Sequence, residues 1–291
     1  MVKILVTGGN GQLGTALKEV LASEQVLYTD TDNMEITDPA QIASVFAEFK
    51  PEFLVHAAAY TNVDGCEQNP DLSLAVNAKG TENLAVACRE AGIPMIFISS
   101  DYVFDGTATE PIPEDAPTNP INVYGKHKLQ GEQAVLALEN SYVLRTSWVF
   151  GEGHNFVRTM LSLADKMSEL KIVSDQYGRP TYAPDLALAI YDVILGVIPG
   201  RKPGTQPIFP GIYNVSGDGD IVSWADFTRE IFKIAGKNTK VIDITTAEYL
   251  SDKRDKLIAP RPAYSAFDLS KSLASGITIN DWKKSLTTYL S

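Results

Sequence analysis

The sequence predicts an α/β fold: a doubly wound parallel sheet with a smaller, partly interwoven α+β lobe. Three observations carry that expectation. Short apolar runs alternate with stretches of helical period through the first 150 residues. Those runs are apolar on both faces, as in a sheet covered by helices on either side. Beyond residue 150 the rhythm breaks, and loops rich in glycine and proline intervene.

Residues 3–7 (KILVT), 26–30 (VLYTD), 53–56 (FLVH), 95–99 (MIFIS) and 142–146 (YVLRT) read as buried strands. Amphipathic stretches at 12–23, 39–49, 71–91 and 122–139 lie between them and read as helices. Asp38-Pro39 offers a cap followed by a first-turn proline, and Asn69-Pro70 repeats the pattern. In the second half a helix is expected over 155–169, a strand over 170–174, a loop at 176–184 and a helix over 185–195. A loop at 196–210 then leads to GIYNVS (211–216), a helix from Ser223, a strand at 240–244 and a last helix ending near Leu290.

At 291 residues the chain can bury a large core. Its hydrophobic fraction of 44% and aromatic fraction of 9% are those of a globular protein. No apolar run approaches the roughly 20 residues that cross a bilayer, so no membrane partner is expected. Residues 2–7 are too short for a secretory leader and run straight into a glycine turn. Cys66 and Cys88 are the only cysteines, which excludes a disulfide framework and makes the cytoplasm the expected compartment. A net charge of −11 argues against nucleic acid as partner, since that contact needs a basic face. One small phosphate ligand remains compatible, held by a few local cations and backbone N–H groups.

Gly8, Gly11 and Gly14 form a G-x-x-G-x-x-G turn between the first strand and the first helix. Glycine there permits the tight turn, lets a pyrophosphate approach the backbone and lets the helix pack closely on the sheet. The helix N-terminus then faces the anion. This points to a dinucleotide and a Rossmann-type domain, against the alternative of a turn with no ligand. Residues 1–148, with about 170–200 interwoven, form the expected dinucleotide-binding domain; 149–169 and 205–291 form the expected substrate lobe. Asp30 ends the second strand, where a carboxylate accepts hydrogen bonds from the adenosine ribose and repels a 2′-phosphate. It favours NADH and leaves NADPH open, and Asp32 competes for the same role.

Candidate chemistry lies at the C-terminal ends of the fourth and fifth strands, where an open α/β sheet holds its ligands. Tyr124 and Lys128 are one helical turn apart and share a face. A phenol has a pKa near 10; the Lys128 ammonium is expected to lower it and to hold the nicotinamide ribose. Ser100, ending the fourth strand, would donate a second hydrogen bond to the carbonyl oxygen being reduced. Singly, each has a plainer reading: a helix-face aromatic, a solvated charge, a strand-end hydroxyl satisfied by backbone. In that order and context, the three together point to catalysis. Tyr-x-x-x-Lys alone means little, because Tyr249 is likewise followed by Lys253 with nothing around it that suggests chemistry. His56, His127 and His154 show no metal-ligand spacing, and no metal site is expected.

TGGNGQLG (7–14), HAAAYTNVD (56–64), SSDYVFDG (99–106), YGKHKLQGE (124–132) and LRTSWVFG (144–151) together resemble the extended short-chain dehydrogenase/reductase family. The likeness continues through 155–160, 174–187, 211–227 and 261–271, so it covers nearly the whole chain. SWVFG, DQYGRPT and RPAYS narrow it to a branch that reduces nucleotide-linked 4-ketosugars. The resemblance implies reduction of the C4 ketone of dTDP-4-dehydro-L-rhamnose to dTDP-L-rhamnose, with NADPH or NADH as cofactor. Tyr124 would protonate the developing alkoxide, with Lys128 and Ser100 in the roles given above. Ser100 stands where members usually carry threonine, and the hydroxyl is kept. By the same matching, Asp101, Tyr102 and Trp148 would line the sugar pocket. Gly11, Gln12, Leu13, Asp30, Ile98 and the run Ala57, Ala58, Ala59, Tyr60 would contact the dinucleotide. Glu35 and Ile36 would lie near the adenine, where members more often have aspartate before the apolar residue.

Some members are dimers bridged by magnesium through acidic side chains, one of them two residues beyond the third glycine. Ala16 stands there, so the metal site is not carried over and a homodimer is left open. Asn214 occupies a position where many members have histidine. Arg179, Arg254 and Arg261 are candidates to meet the nucleotide diphosphate, Arg261 first because it lies in RPAYS; a surface salt bridge is the competing reading. Two other functions stay open. One is a 4-epimerase or 4,6-dehydratase that retains NAD, for which Asp101 beside Ser100 is the opening. The other is a non-catalytic regulatory subunit resembling that of methionine adenosyltransferase.

Overall fold

Alternate residues of the first strand point to opposite faces of the sheet, and both faces are buried. Ile4 and Val6 join one apolar core with Leu17 and Ile190, while Leu5 joins the other with Leu54, Leu84, Phe97 and Val143. The same division recurs at Phe53 and Val55 against Leu54, which is why these runs are apolar without alternation. In the computed structural model, which describes residues 1–198, 206–251 and 257–291, strands and helices alternate as the sequence predicts. They are β1 (Lys3–Thr7), α1 (Gln12–Val20), β2 (Gln25–Thr29), α2 (Pro39–Phe49), β3 (Phe53–His56), α3 (Val63–Gln68), α4 (Pro70–Ser73), α5 (Thr81–Ala91), β4 (Met95–Ser100), α6 (Val123–Leu136) and β5 (Ser141–Thr146). The sheet is wholly parallel, in the order Gly211–Asn214, β5, β4, β3, β1, β2. The strand order reverses between β1 and β3, and a ligand crevice belongs beyond the C-terminal ends of those strands.

Both proline-marked helix starts are capped as expected. The Asp38 carboxylate accepts from Ala40 N at 2.9 Å, and Asn69 Oδ1 accepts from Leu72 N at 3.3 Å. The single helix expected over 71–91 is instead α4, a π-helical stretch Leu74–Gly80 and then α5. The wider turn brings Asn77 to the chain after β3. Its Oδ1 accepts from Tyr60 N at 2.9 Å and its Nδ2 donates to Tyr60 O at 3.1 Å. Side-chain demand from a distant loop overrides helical period here.

Two segments fall across the lobe boundaries drawn from sequence. Gly211–Asn214, expected in the substrate lobe, pairs in parallel with β5 as the sixth strand of the main sheet. Glu169–Val173, expected largely with the dinucleotide domain, pairs instead with Lys240–Ile244. Strand partners are set by long-range register, which an apolar run does not encode. Ala183–Val197 does pack on the main sheet, through Leu186, Ile190 and Ile194. A separate apolar core gathers Phe150, Val157, Phe227, Ile231, Trp282 and Leu286. Among the described residues, no helix is long and apolar enough to cross a membrane.

Candidate active site

A cleft of about 810 Å3 lies at the C-terminal ends of the central strands. The expected site residues line it except the arginine candidates and Asp32, so the glycine turn and the three reacting groups face one cavity.

At the cofactor end, α1 begins at Gly11 with no side-chain cap, which leaves its first N–H groups free for an anion. Gly8 adopts φ +73°, and a Cβ on Gly14 would lie 2.2 Å from Gly8 O. No side chain fits there, so α1 rests directly on the turn. Asp30 ties the turn to β2: Oδ2 accepts from Asn10 N at 3.0 Å and Oδ1 from Thr31 N at 2.9 Å. Gln12 Oε1 is buried without a partner. An open helix N-terminus, a cradle that a Cβ would fill and an orphaned acceptor fit a dinucleotide.

Behind this surface runs a directed chain of buried hydrogen bonds. Thr81 Oγ1 donates to Asn77 O at 2.9 Å, so it accepts from His56 Nε2 at 3.0 Å. That leaves His56 Nδ1 as an acceptor for Thr7 Oγ1 at 2.7 Å, and Thr7 Oγ1 in turn accepts from Ala58 N at 3.3 Å. Burial pushes the His56 imidazole down to about 3, with the Lys128 charge adding to the effect, and it stays neutral. The chain joins the ends of β1 and β3 to Asn77, which clamps Tyr60 in the Ala57–Tyr60 run.

At the reacting end, α6 starts at Asn122, whose Oδ1 accepts from Gly125 N at 2.8 Å while its Nδ2 donates to Pro260 O at 2.8 Å. A Cβ on Gly125 would lie 2.0 Å from Tyr102 O, so the helix seats directly on the chain leaving β4. This brings Tyr124 to Ser100. The Ser100 hydroxyl lies between two groups: it donates to Asp101 Oδ1 at 2.7 Å and is within hydrogen-bond reach of the Tyr124 phenol. Burial holds Asp101 up at about 6 against hydrogen bonds from Ser265 and Ser100, and its Oδ2 has no partner.

Lys128 departs from expectation. Its Nζ donates to Ile98 O at 2.7 Å and lies 4.0 Å from the centroid of the Phe97 ring. Burial, opposed by the Glu132 charge, brings the ammonium down to about 7. The Tyr124 phenol is pushed up by burial first and then by the Asp101 charge; only the Ser100 hydrogen bond pulls it down. One helical turn aligns the two side chains without deciding where a flexible lysine anchors. Glu132, a further turn along α6, is held by buried Arg145 at 2.9 and 2.8 Å.

Trp148 follows β5 with φ +50°, a left-handed conformation that costs a bulky side chain roughly 1–2 kcal/mol. Its neighbours over-determine it. Thr181 N donates to Trp148 O at 3.2 Å, and Thr181 Oγ1 donates to Ser147 O at 2.7 Å.

The RmlD substrate binding domain model matches residues 2–291. The chain belongs to that family. It is 38% identical over 294 residues to the spore coat polysaccharide biosynthesis protein SpsK of Bacillus subtilis, covering 100% of this chain and 97% of that one. It is 38% identical over 298 residues to dTDP-4-dehydrorhamnose reductase of Aggregatibacter actinomycetemcomitans, covering 98% and 97%. A dTDP-4-dehydrorhamnose reductase structure from Clostridium acetobutylicum superposes with TM-score 0.90 at 40% identity, over 99% of this chain and 98% of that one. A Bacillus anthracis dTDP-4-dehydrorhamnose reductase structure in complex with NADP gives TM-score 0.89 at 34% identity, over 99% and 98%. The fold class and the reductase resemblance read from the motifs are borne out.

Within this RmlD-family cleft, sequence reasoning missed Ser99 and Thr146, whose buried hydroxyls line the cavity without partners. Both are polar residues closing an apolar strand, the same pattern that marks Ser100. Arg261 stands beside the cleft: Nη2 donates to Asp64 Oδ1 at 2.8 Å, the guanidinium lies 5.9 Å from the Tyr102 ring, and Nη1 is buried without a partner. Arg179 is committed to backbone, donating to Gly219 O at 2.8 Å and Phe267 O at 2.9 Å. Arg254 and Lys253 lie outside the described residues. Asn214 does not line the cleft; its Nδ2 joins Ile112 O and Asp268 O at 2.9 and 3.2 Å.

Proposed function

We propose that this chain reduces the C4 ketone of dTDP-4-dehydro-L-rhamnose to dTDP-L-rhamnose, using NADPH or NADH. The observation that carries the reading is a single cleft shared by an uncapped helix N-terminus and the Ser100–Tyr124–Lys128 set. Gly8, Gly11–Leu13, Asp30, Glu35, Ile36, the Ala57–Tyr60 run and Ile98 would hold the dinucleotide. When bound, it supplies the hydride. Tyr124 is the proton donor to the developing alkoxide, and burial keeps its proton on the phenol until that stronger base forms. Ser100 would turn its single hydroxyl proton from Asp101 to the oxygen being reduced and so orient it. Lys128, fixed on Ile98 O, presents its remaining N–H donors to the ribose. Asp101, Tyr102 and Trp148 shape the sugar pocket. Cys66 and Cys88 are buried free thiols, which supports a reducing compartment, the cytoplasm.

The test is direct. Purified protein mixed with NADPH or NADH and dTDP-4-dehydrorhamnose should consume one reduced nicotinamide per ketone, followed by absorbance. Tightly bound NAD with no consumption would instead favour an epimerase or dehydratase.

A further inference from the structure

We propose that Trp224 and Gly178 are positioning residues that hold the Trp148 indole as a rigid wall of the sugar pocket, and so set affinity for the nucleotide sugar. The inference rests on the function proposed above. Trp148 and Trp224 stack with ring centroids 3.6 Å apart and planes 12° from parallel. Phe156 leans on the same Trp224 ring at 4.5 Å, and Phe227 lies 5.7 Å from Phe156, so the stack is anchored in the separate apolar core around Phe227. Gly178 meets the indole elsewhere: a Cβ there would lie 2.8 Å from Cε2, 3.0 Å from Cζ2 and 3.2 Å from Nε1 of Trp148.

The two supports are themselves joined. Tyr177–Gly178 pairs antiparallel with Val222–Ser223, and Trp224 follows at once as the first residue of its helix. The Ser223 hydroxyl caps that helix by accepting from Asp226 N at 3.1 Å. One small sheet therefore fixes both contacts on an indole whose own backbone is in the left-handed region. A side chain placed at that cost and braced from two directions is a preorganised surface, and preorganisation lowers the entropy cost of binding. An apolar aromatic face suits the C–H-rich face and C6 methyl of a 6-deoxyhexose. Neither Trp224 nor Gly178 lines the cleft, so each acts only through Trp148.

Initial-rate kinetics on three variants test this. Trp224→Leu removes the stack, Gly178→Ala pushes the indole away, and Trp224→Phe keeps an aromatic face. The first two should raise KM for the nucleotide sugar about five- to tenfold, the loss of an aromatic pair, with kcat and KM for the cofactor changed less than about twofold. Trp224→Phe should recover most of the affinity. Far-ultraviolet circular dichroism, at the strong indole transition, should show an exciton couplet from the paired indoles in the wild type and Gly178→Ala should weaken it. Unchanged KM for the nucleotide sugar in folded Trp224→Leu and Gly178→Ala, with the wild type turning over, overturns this inference alone. A wild type that consumes no reduced cofactor overturns the proposed function and this inference with it.

Discussion

Lys128 shows in one side chain how function opposes stability. Its ammonium is buried and its pKa is down at about 7 from 10.5. Between those values the unfolded chain keeps a proton that the folded chain has released. Stability therefore falls as the pH drops from 10.5 towards 7, and the penalty is constant below that. Lys128→Met loses the bond to Ile98 O, worth about 1 kcal/mol, but also removes the penalty. Thermal melts should show the variant at least as stable as wild type at neutral pH, with its advantage shrinking as pH climbs towards 10, while turnover collapses. A variant less stable at pH 7 by the same margin at every pH would show that burying this charge costs nothing. Tyr124→Phe should abolish reduction, and near-full activity would remove the tyrosine from its role as donor. Tyr249→Phe, on the short helix Thr246–Ser251, should leave turnover essentially unchanged. The spacing showed that Tyr124 and Lys128 share a face. It could not show that the ammonium would anchor on a carbonyl 30 residues earlier in the chain.

Elements place these residues through polar contacts that periodicity does not register. The strands were legible because burial on both faces leaves unbroken apolar runs, and the capped helices were legible in Asp38-Pro39 and Asn69-Pro70. The π-helical turn was not, because its cause is the far-off backbone of Tyr60 meeting Asn77. The Thr7–His56–Thr81–Asn77 chain was equally hidden: the sequence shows only that His56 lacks metal-ligand spacing, not that it is the central link. Thr81→Val keeps the shape of the side chain and deletes its hydroxyl. It leaves the His56 Nε2–H unpaired in the core, at a cost of about 1–3 kcal/mol. The expected result is a lowered melting temperature together with a raised KM for NADPH or NADH, as the Ala57–Tyr60 run loosens. Loss of stability with no change in cofactor KM would make the chain purely structural.

Across the whole molecule, the difficulty is electrostatic: a nucleoside diphosphate sugar must dock on a chain of net charge −11. A local cation has to offset that field, and we propose Arg261, beside the cleft, for that role. The motif around it pointed to the right neighbourhood, but its salt bridge to Asp64, nearly two hundred residues away in the chain, was not legible in the sequence. Both partners are partly exposed, so the pair itself adds little stability. Its consequence is orientation. Asp64 holds Nη2 and leaves Nη1 buried and unpaired, with Tyr102 alongside. Arg261→Ala should therefore raise KM for the nucleotide sugar about tenfold or more, the loss of one charge-assisted contact, with a much smaller fall in kcat. Arg261→Lys keeps the charge but not the planar fork, and should recover only part of that affinity. Asp64→Asn keeps the arginine but releases its orientation, and should move KM in the same direction by a smaller factor. If Arg261→Ala leaves KM for the nucleotide sugar unchanged, the diphosphate is held elsewhere, and the pair serves only to tie the RPAYS segment to α3.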